Sequence, residues 1–226
     1  MNLMSVDALS DFGKVLRERI RETKPKRIIE TGTYLGRGTT TVIASAIRDF
    51  EIDFVKFFSI EVNPQYYRSA YIHLRDSGLL GIVTLINGLS VFRTQLPSIE
   101  EIKEKFVDKV WNKDVYIDHN KDIRVFKYFE ETNFPFVPDG MLINCLEKLD
   151  YSPDLVLLDS GGHLGEVEFD TLIPNLKKSC IIALDDVFHV KHYNNLLKIK
   201  EDTRFNFLSL SREKFGHCIT QFTPEK

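Results

Sequence analysis

The chain has 226 residues, of which 43% are hydrophobic and 28% charged, and a formal net charge of −3. That length holds one domain with a sizeable core and is short for two; the composition is that of an ordinary globular protein. The near-neutral balance offers little to a polyanion, so no nucleic-acid partner is expected. No apolar run reaches the roughly 18 residues of a membrane span, and the N-terminus lacks signal-peptide character, so no membrane partner is expected either.

Residues 5–23 carry Ala8, Leu9, Phe12, Val15, Leu16 and Ile20 at helical spacing among Arg and Glu, which predicts an amphipathic helix stopped by Pro25. A first strand follows over about 27–30, ending in Glu30, then a glycine-rich turn and a helix over about 37–49. Phe57-Phe58-Ser59-Ile60-Glu61 is a second apolar strand that again ends in an acid. Pro64 suits the first turn of a helix over about 64–77, which Gly78 closes. Ile82–Ile86 forms a third strand, ended by Asn87-Gly88. Near-continuous apolar strands alternating with helices imply a parallel sheet covered on both faces.

Residues 92–138 break this pattern. They are polar, charged and aromatic, with Trp111, Tyr116, Phe126, Tyr128, Phe129, Phe134 and Phe136. Asp114–Asp118 and Ile123–Phe129 flank His119-Asn120-Lys121-Asp122, which reads as a β-hairpin. The segment is either a lid that recognises a substrate or a surface elaboration through which a homo-oligomer forms.

Regular order then resumes. Asp139 is the expected N-cap of a helix over about 140–149. A fourth strand follows at Asp154–Asp159, a helix at about 165–178, a fifth strand at Cys180–Asp186 and a helix at about 190–200. Two closing strands lie around Phe205–Leu210 and His217–Phe222. The expected fold class is α/β: a doubly wound, mostly parallel seven-stranded sheet with a C-terminal antiparallel edge hairpin. It forms one domain over residues 1–226, with 92–138 inserted. Cys145, Cys180 and Cys218 are scattered, with no Cys-x-x-Cys pair, which argues against a disulfide framework or zinc site and points to a cytoplasmic setting.

The chemistry concentrates at the strand ends. Gly32, Gly36 and Gly38 let the backbone approach a ligand, and the free N–H groups opening the next helix favour a carboxylate or phosphate. No Gly-Lys-Ser/Thr follows, and the glycine spacing is not Gly-x-Gly-x-x-Gly. Glu61, at the tip of the second strand, is placed to accept hydrogen bonds from both ribose hydroxyls of a nucleoside. Asp159, Asp185 and Asp186 end strands expected to be neighbours. Adjacent strand residues face opposite ways, so Asp185 and Asp186 can act together only where the strand bends. His163, His189, Lys191 and His192 lie just beyond these acids, the last three as secondary candidates.

Glu30-x-Gly32-x-x-x-Gly36, with Thr33 in the turn, resembles the first motif of class I S-adenosylmethionine-dependent methyltransferases, and Ser59-Ile60-Glu61-Val62-Asn63-Pro64 resembles their second. Their layout also ends in a reversed edge hairpin. The resemblance spans about residues 25–90 and 139–222 and leaves the insert unmatched. It implies that Glu30, Gly32, Thr33 and Gly36 shape the donor site and that Glu61 holds the ribose. It also implies that Gly88 and Ser90 lie along the adenine. Asp159-Ser160-Gly161-Gly162-His163 with Asp185-Asp186 resembles the metal-dependent small-molecule O-methyltransferases. There, acids ending the fourth and fifth strands hold a divalent ion such as Mg²⁺, which binds a substrate hydroxyl and lowers its pKa. Asp159, which also borders the donor site, would position the acceptor together with Asp185 and Asp186, and His163 would take its proton. His163 follows Asp159 after four positions, one more than in that pattern. Residues 159–169 also look like bacterial proteins of this fold whose substrates are obscure, some of which sit among sugar and secondary-metabolite modifiers.

The expected activity is S-adenosylmethionine-dependent methylation of a small-molecule acceptor on oxygen, with or without Mg²⁺. A different class is open too: a non-catalytic Rossmann-like protein that binds a nucleoside or sugar nucleotide and serves as a partner subunit. An RNA or protein methyltransferase has less support, since no Asn-Pro-Pro-Tyr-like tetrapeptide follows the fourth strand and no basic tail is present.

Overall fold

Strands this rich in Ile, Leu, Val and Phe need helices on both sides of their sheet, and the computed structural model, which describes residues 6–225, supplies them. In chain order the elements are α1 (Asp11–Thr23), β1 (Arg27–Thr31), α2 (Thr39–Asp49), β2 (Lys56–Glu61), α3 (Pro64–Asp76) and β3 (Val83–Asn87). After them come α4 (Ile99–Lys103), α5 (Lys121–Glu130), α6 (Met141–Lys148), β4 (Leu155–Leu158), α7 (Gly165–Leu172) and β5 (Cys180–Asp185). The chain closes with α8 (Tyr193–Glu201), β6 (Phe205–Ser211) and β7 (His217–Phe222).

The seven strands lie in the order β3-β2-β1-β4-β5-β7-β6. β1 pairs in parallel with β2 and β4, and β7 alone is reversed, antiparallel to both β5 and β6. Successive side chains alternate between two cores. Ile29, Ile60, Val156, Leu158 and Ile182 pack with Leu146 of α6, Leu172 of α7 and Leu196 of α8. Ile28, Phe57, Leu155, Leu157 and Ile181 pack with Leu16 of α1, Ile43 of α2 and Leu74 of α3. The winding direction reverses between β1 and β4, so the crevice for a ligand lies outside the carboxyl ends of those strands.

Several sequence expectations shift. The first helix starts at Asp11, where Ser10 Oγ accepts from Gly13 N–H (3.1 Å); residue 5, its expected start, lies outside the described residues. The hairpin expected over 114–129 is absent, and α5 occupies its second half. Asn120 caps that helix by accepting from Asp122 N–H (3.1 Å), and Tyr128 is its buried side chain. Ile123–Phe129, expected as the second arm of that hairpin, is helical instead: Val125 and Tyr128, three apart, share one face against Ile102 and Phe106. Asp139 does not cap α6; Gly140 takes that position, and the Asp139 carboxylate accepts from Arg93 N–H (2.9 Å) and pairs with its guanidinium. α7 stops at Leu172, and Pro174, which lacks an N–H, lies in a 3₁₀ turn over Ile173–Asn175.

The insert is docked onto the sheet's carboxyl edge. Tyr116 forms a parallel bridge with His189: its N–H donates to Phe188 C=O (2.7 Å), and Val190 N–H donates to Tyr116 C=O (3.1 Å). Among the described residues no helix is long and apolar enough to cross a membrane.

Candidate active site

The turn after β1 is built by close backbone approach. Gly32 has φ 82°, and a Cβ there would sit 2.2 Å from the carbonyl oxygen of Asp159 at the end of β4. The N–H groups of Gly32 and Thr33 both donate to Ile60 C=O (3.0 and 3.2 Å), which draws the turn over β2. Gly36, at φ 71°, rests on Ala70 of α3, 3.1 Å from the place of a Cβ.

Glu30 lies beneath this turn. It is fully buried and accepts from the hydroxyls of Thr39, Thr40 and Ser59, each at 2.6 Å. Burial raises its pKa, and the three hydroxyls pull the other way. Its role is to tie the strand to the start of α2. Thr33 likewise spends its hydroxyl on Ser59 (2.6 Å).

Glu61 is 6% exposed and faces the turn: Oε2 accepts from Tyr34 N–H (2.7 Å) and Oε1 from Asn63 N–H (2.8 Å). A carboxylate offers about four lone-pair directions, so about two remain for a ligand's hydroxyls. Burial pushes this carboxyl up to about 7 against the two backbone donors. Tyr34 carries φ 53°, and its ring packs edge-on against Tyr66, 4.7 Å between centroids.

After β3, Gly88 is fitted against the base of the insert, where a Cβ would lie 2.9 Å from Pro138 C=O and 2.6 Å from Met141 Cγ. Ser90 donates its hydroxyl to Glu168, which the sequence places in the 159–169 resemblance without a role at the site. Glu168 is fully buried and also accepts from Thr31 (2.9 Å) and Ser160 (2.7 Å), which pins the ends of β1 and β4 and the loop after β3 to α7. The available signal is an acid on the same helical face as Leu164 and Leu172, both apolar and four residues away on either side. Glu168→Ala strands three buried hydroxyls and is expected to cost about 3 kcal/mol, read as a lower urea midpoint. A loss below about 1 kcal/mol would remove this bracing role.

The acids beyond β4 and β5 converge. Asp159, Asp185 and Asp186 each offer one oxygen, all within 4.8 Å of one another. The bend this requires is present: β5 ends at Asp185, Asp186 turns to φ 56°, and its N–H donates to Asp185 Oδ1 (3.0 Å). Three hard oxygen donors suit Mg²⁺. Lys191, however, already lies among them, with Nζ 2.7 Å from Asp159 Oδ1 and 2.9 Å from Asp186 Oδ2. Burial disfavours its charge, but Asp159, Asp186 and Asp185 outweigh that and hold the ammonium well above its ordinary range. Burial, together with Asp159 and Asp186, pushes Asp185 well above the usual carboxylate range.

His163 is buried and turned to the insert. Its Nε2 is 3.2 Å from Thr132 Oγ1, and its Nδ1 has no hydrogen-bond partner and lies 3.7 Å from Glu131 Oε2. That same Glu131 oxygen accepts from Gly162 N–H (3.0 Å), and a Cβ on Gly161 would lie 2.3 Å from it, so the glycine pair lets α5 close onto the loop. His189 and His192 are engaged elsewhere. His189 Nε2 faces Asp118 (3.4 Å) and its Nδ1 accepts from Lys191 N–H (3.1 Å). His192 lies between Leu158 C=O (3.2 Å) and Asn195 (2.8 Å), where burial keeps it neutral. Burial raises Asp118, but His189 and Tyr128 outweigh it and hold the carboxyl at about 2.

Comparison with solved structures matches this arrangement of strands and helices. The O-methyltransferase of Bacillus cereus, solved with S-adenosylhomocysteine, is similar at TM-score 0.60 and 12% identity, covering 98% of this chain and 85% of that one. The O-methyltransferase TomG of Streptomyces achromogenes, involved in tomaymycin synthesis and solved with S-adenosylmethionine, gives TM-score 0.56 and 14% identity over 94% of this chain and 79% of that one. An S-adenosylhomocysteine-bound methyltransferase of Podospora anserina gives 0.53 and 17% over 94% and 78%. The chain has the class I methyltransferase fold. No protein-family model matches the sequence.

Proposed function

We propose that the chain is an S-adenosylmethionine-dependent methyltransferase that acts on oxygen of a small molecule. The observation that carries this reading is Glu61: a buried carboxylate at the tip of β2, held by two backbone N–H groups beside the glycine turn, with acceptor capacity left for a ribose. Similarity in fold to proteins solved with S-adenosylmethionine or its product supports it. When bound, S-adenosylmethionine supplies an electrophilic methyl. The chain's own part is to grip the nucleoside at Glu61, keep the turn narrow at Gly32 and Gly36, and orient the acceptor at the carboxyl ends of β4 and β5. Alignment of acceptor and methyl is worth several powers of ten in rate. A divalent ion held by Asp159, Asp185 and Asp186 would polarise the acceptor hydroxyl.

His163 is the group we assign to the acceptor's proton. When its Nε2–H donates to Thr132, the lone pair on Nδ1 is free, and Glu131 stands ready to stabilise the imidazolium. Residues 92–138 serve as a lid within a single domain, with Glu131 as the latch on Gly162. The exposed Phe126 and Phe136 on this lid are where a second copy would join. The three cysteines, all buried and free, suit a reducing cytoplasm.

Calorimetry with S-adenosylhomocysteine tests the reading. Micromolar binding is expected, and absence of binding overturns it. Glu61→Ala is expected to weaken that binding about 10- to 100-fold, since charge-assisted hydrogen bonds are lost. The pH dependence follows from the raised carboxyl. Hydroxyls donate to the ionised form, so below pH 7 binding must first expel a proton from Glu61. Affinity should therefore fall as pH drops below about 7, by at most a decade per unit, and level off above it. The profile of Glu61→Ala should lack that limb.

A further inference from the structure

Lys191 occupies the place where the acid cluster needs a cation. Its side chain is 6% exposed, and its ammonium spans Asp159 and Asp186 at 2.7 and 2.9 Å. Those are two of the three carboxylates whose oxygens lie within 4.8 Å of one another. An ammonium and a divalent ion cannot share oxygens this close, because the two cations repel over a few ångströms in a poorly solvated site.

The backbone around Lys191 is fixed. His189 N–H returns to Asp186 C=O (2.9 Å), Lys191 N–H donates to His189 Nδ1 (3.1 Å), and a Cβ on Gly165 would lie 2.6 Å from Lys191 C=O. With the backbone held, any withdrawal of the ammonium has to come from rotation of the four-carbon stem, which carries a point charge free of the geometric demands of a guanidinium. The same turn that bends Asp186 toward Asp185 thus delivers the lysine into the cluster.

We propose that Lys191 sets the cation affinity of this site: its ammonium is the resident counter-ion of Asp159 and Asp186, and a divalent ion engages all three carboxylates only when that ammonium withdraws. The proposal rests on the methyltransferase reading in one respect, that these acids are where an acceptor oxygen is held. Lys191 is then a positioning residue that decides whether the acceptor meets an ammonium or a metal ion.

The test is a titration of the full chain with Mn²⁺, following free Mn²⁺ by electron paramagnetic resonance. Lys191→Met is expected to bind Mn²⁺ at least about tenfold more tightly than the unsubstituted chain, since the ligand charge count is unchanged and the competitor is gone. Adding Asp186→Asn to Lys191→Met should cancel the gain. Equal or weaker binding by Lys191→Met, or no binding by either protein, overturns the proposal. A second measurement needs no variant: in ¹⁵N-lysine-labelled protein, saturating Mg²⁺ should move the Lys191 Nζ resonance toward that of solvated lysines. A resonance that stays fixed while Mg²⁺ saturates the acids overturns it equally. S-adenosylhomocysteine binding, measured on the same samples, reports separately on the methyltransferase reading: its loss leaves the Mn²⁺ ranking to decide Lys191.

Discussion

Gly32→Ala is expected to destabilise the fold by more than about 4 kcal/mol and to abolish S-adenosylhomocysteine binding, because the added methyl would lie 2.2 Å from the Asp159 carbonyl oxygen. The methyl is fixed rigidly to one backbone and meets another, so neither side can swing away. The positive φ adds strain of its own. Gly78 provides the control. It also has positive φ, 67°, but nothing lies within 4 Å of its Cβ position. Gly78→Ala should therefore cost only about 1–2 kcal/mol, the left-handed penalty alone. Urea unfolding of the two variants separates conformational strain from steric exclusion; similar losses would mean that the approach of β1 to β4 is not tight.

The second large effect concerns the acceptor's proton. His163→Gln should lower kcat about 10²- to 10⁴-fold while leaving S-adenosylhomocysteine affinity unchanged. The measurement is transfer of a labelled methyl group across a panel of small hydroxylated acceptors. Loss of both kcat and cofactor affinity would instead make His163 a structural pin between Thr132 and the loop after β4. A kcat within about threefold of the parent would remove it from the reaction.

The sheet could be read from the sequence because each strand carries its own signal. Phe57–Glu61 and Leu155–Leu158 are short apolar runs bounded by turn residues, and burial on both faces demands that composition. Glu61 stood out for the same reason, as an acid ending such a run. The insert carried no comparable signal. The apolar face of α5 is completed by Ile102, Phe106 and Val190, which lie outside the helix, so its β-branched and aromatic residues beside an apparent turn read as a hairpin arm. Glu168 lies in the 159–169 resemblance, but its role does not show in the sequence because an acid at the start of a helix ordinarily faces water; only the meeting of Thr31, Ser90 and Ser160 makes burial there tolerable. Lys191 was noticed as a neighbour of the acids, but its insertion among them depends on the left-handed turn at Asp186, which sequence spacing does not encode.

The bridge between Tyr116 and the segment after β5 joins parts of the chain about seventy residues apart, a contact of high loop-closure cost. Tyr116 takes its backbone partners from Phe188 and Val190, and its ring stacks on Phe215 with centroids 4.0 Å apart. These partners leave the ribosome long after Tyr116 does. β1, β2 and β3 find one another within about sixty residues, whereas Tyr116 waits for Phe188, Val190 and Phe215. A chain truncated before Phe188 would therefore lack every backbone partner of Tyr116 and should leave residues 92–138 more open to protease than in the full chain.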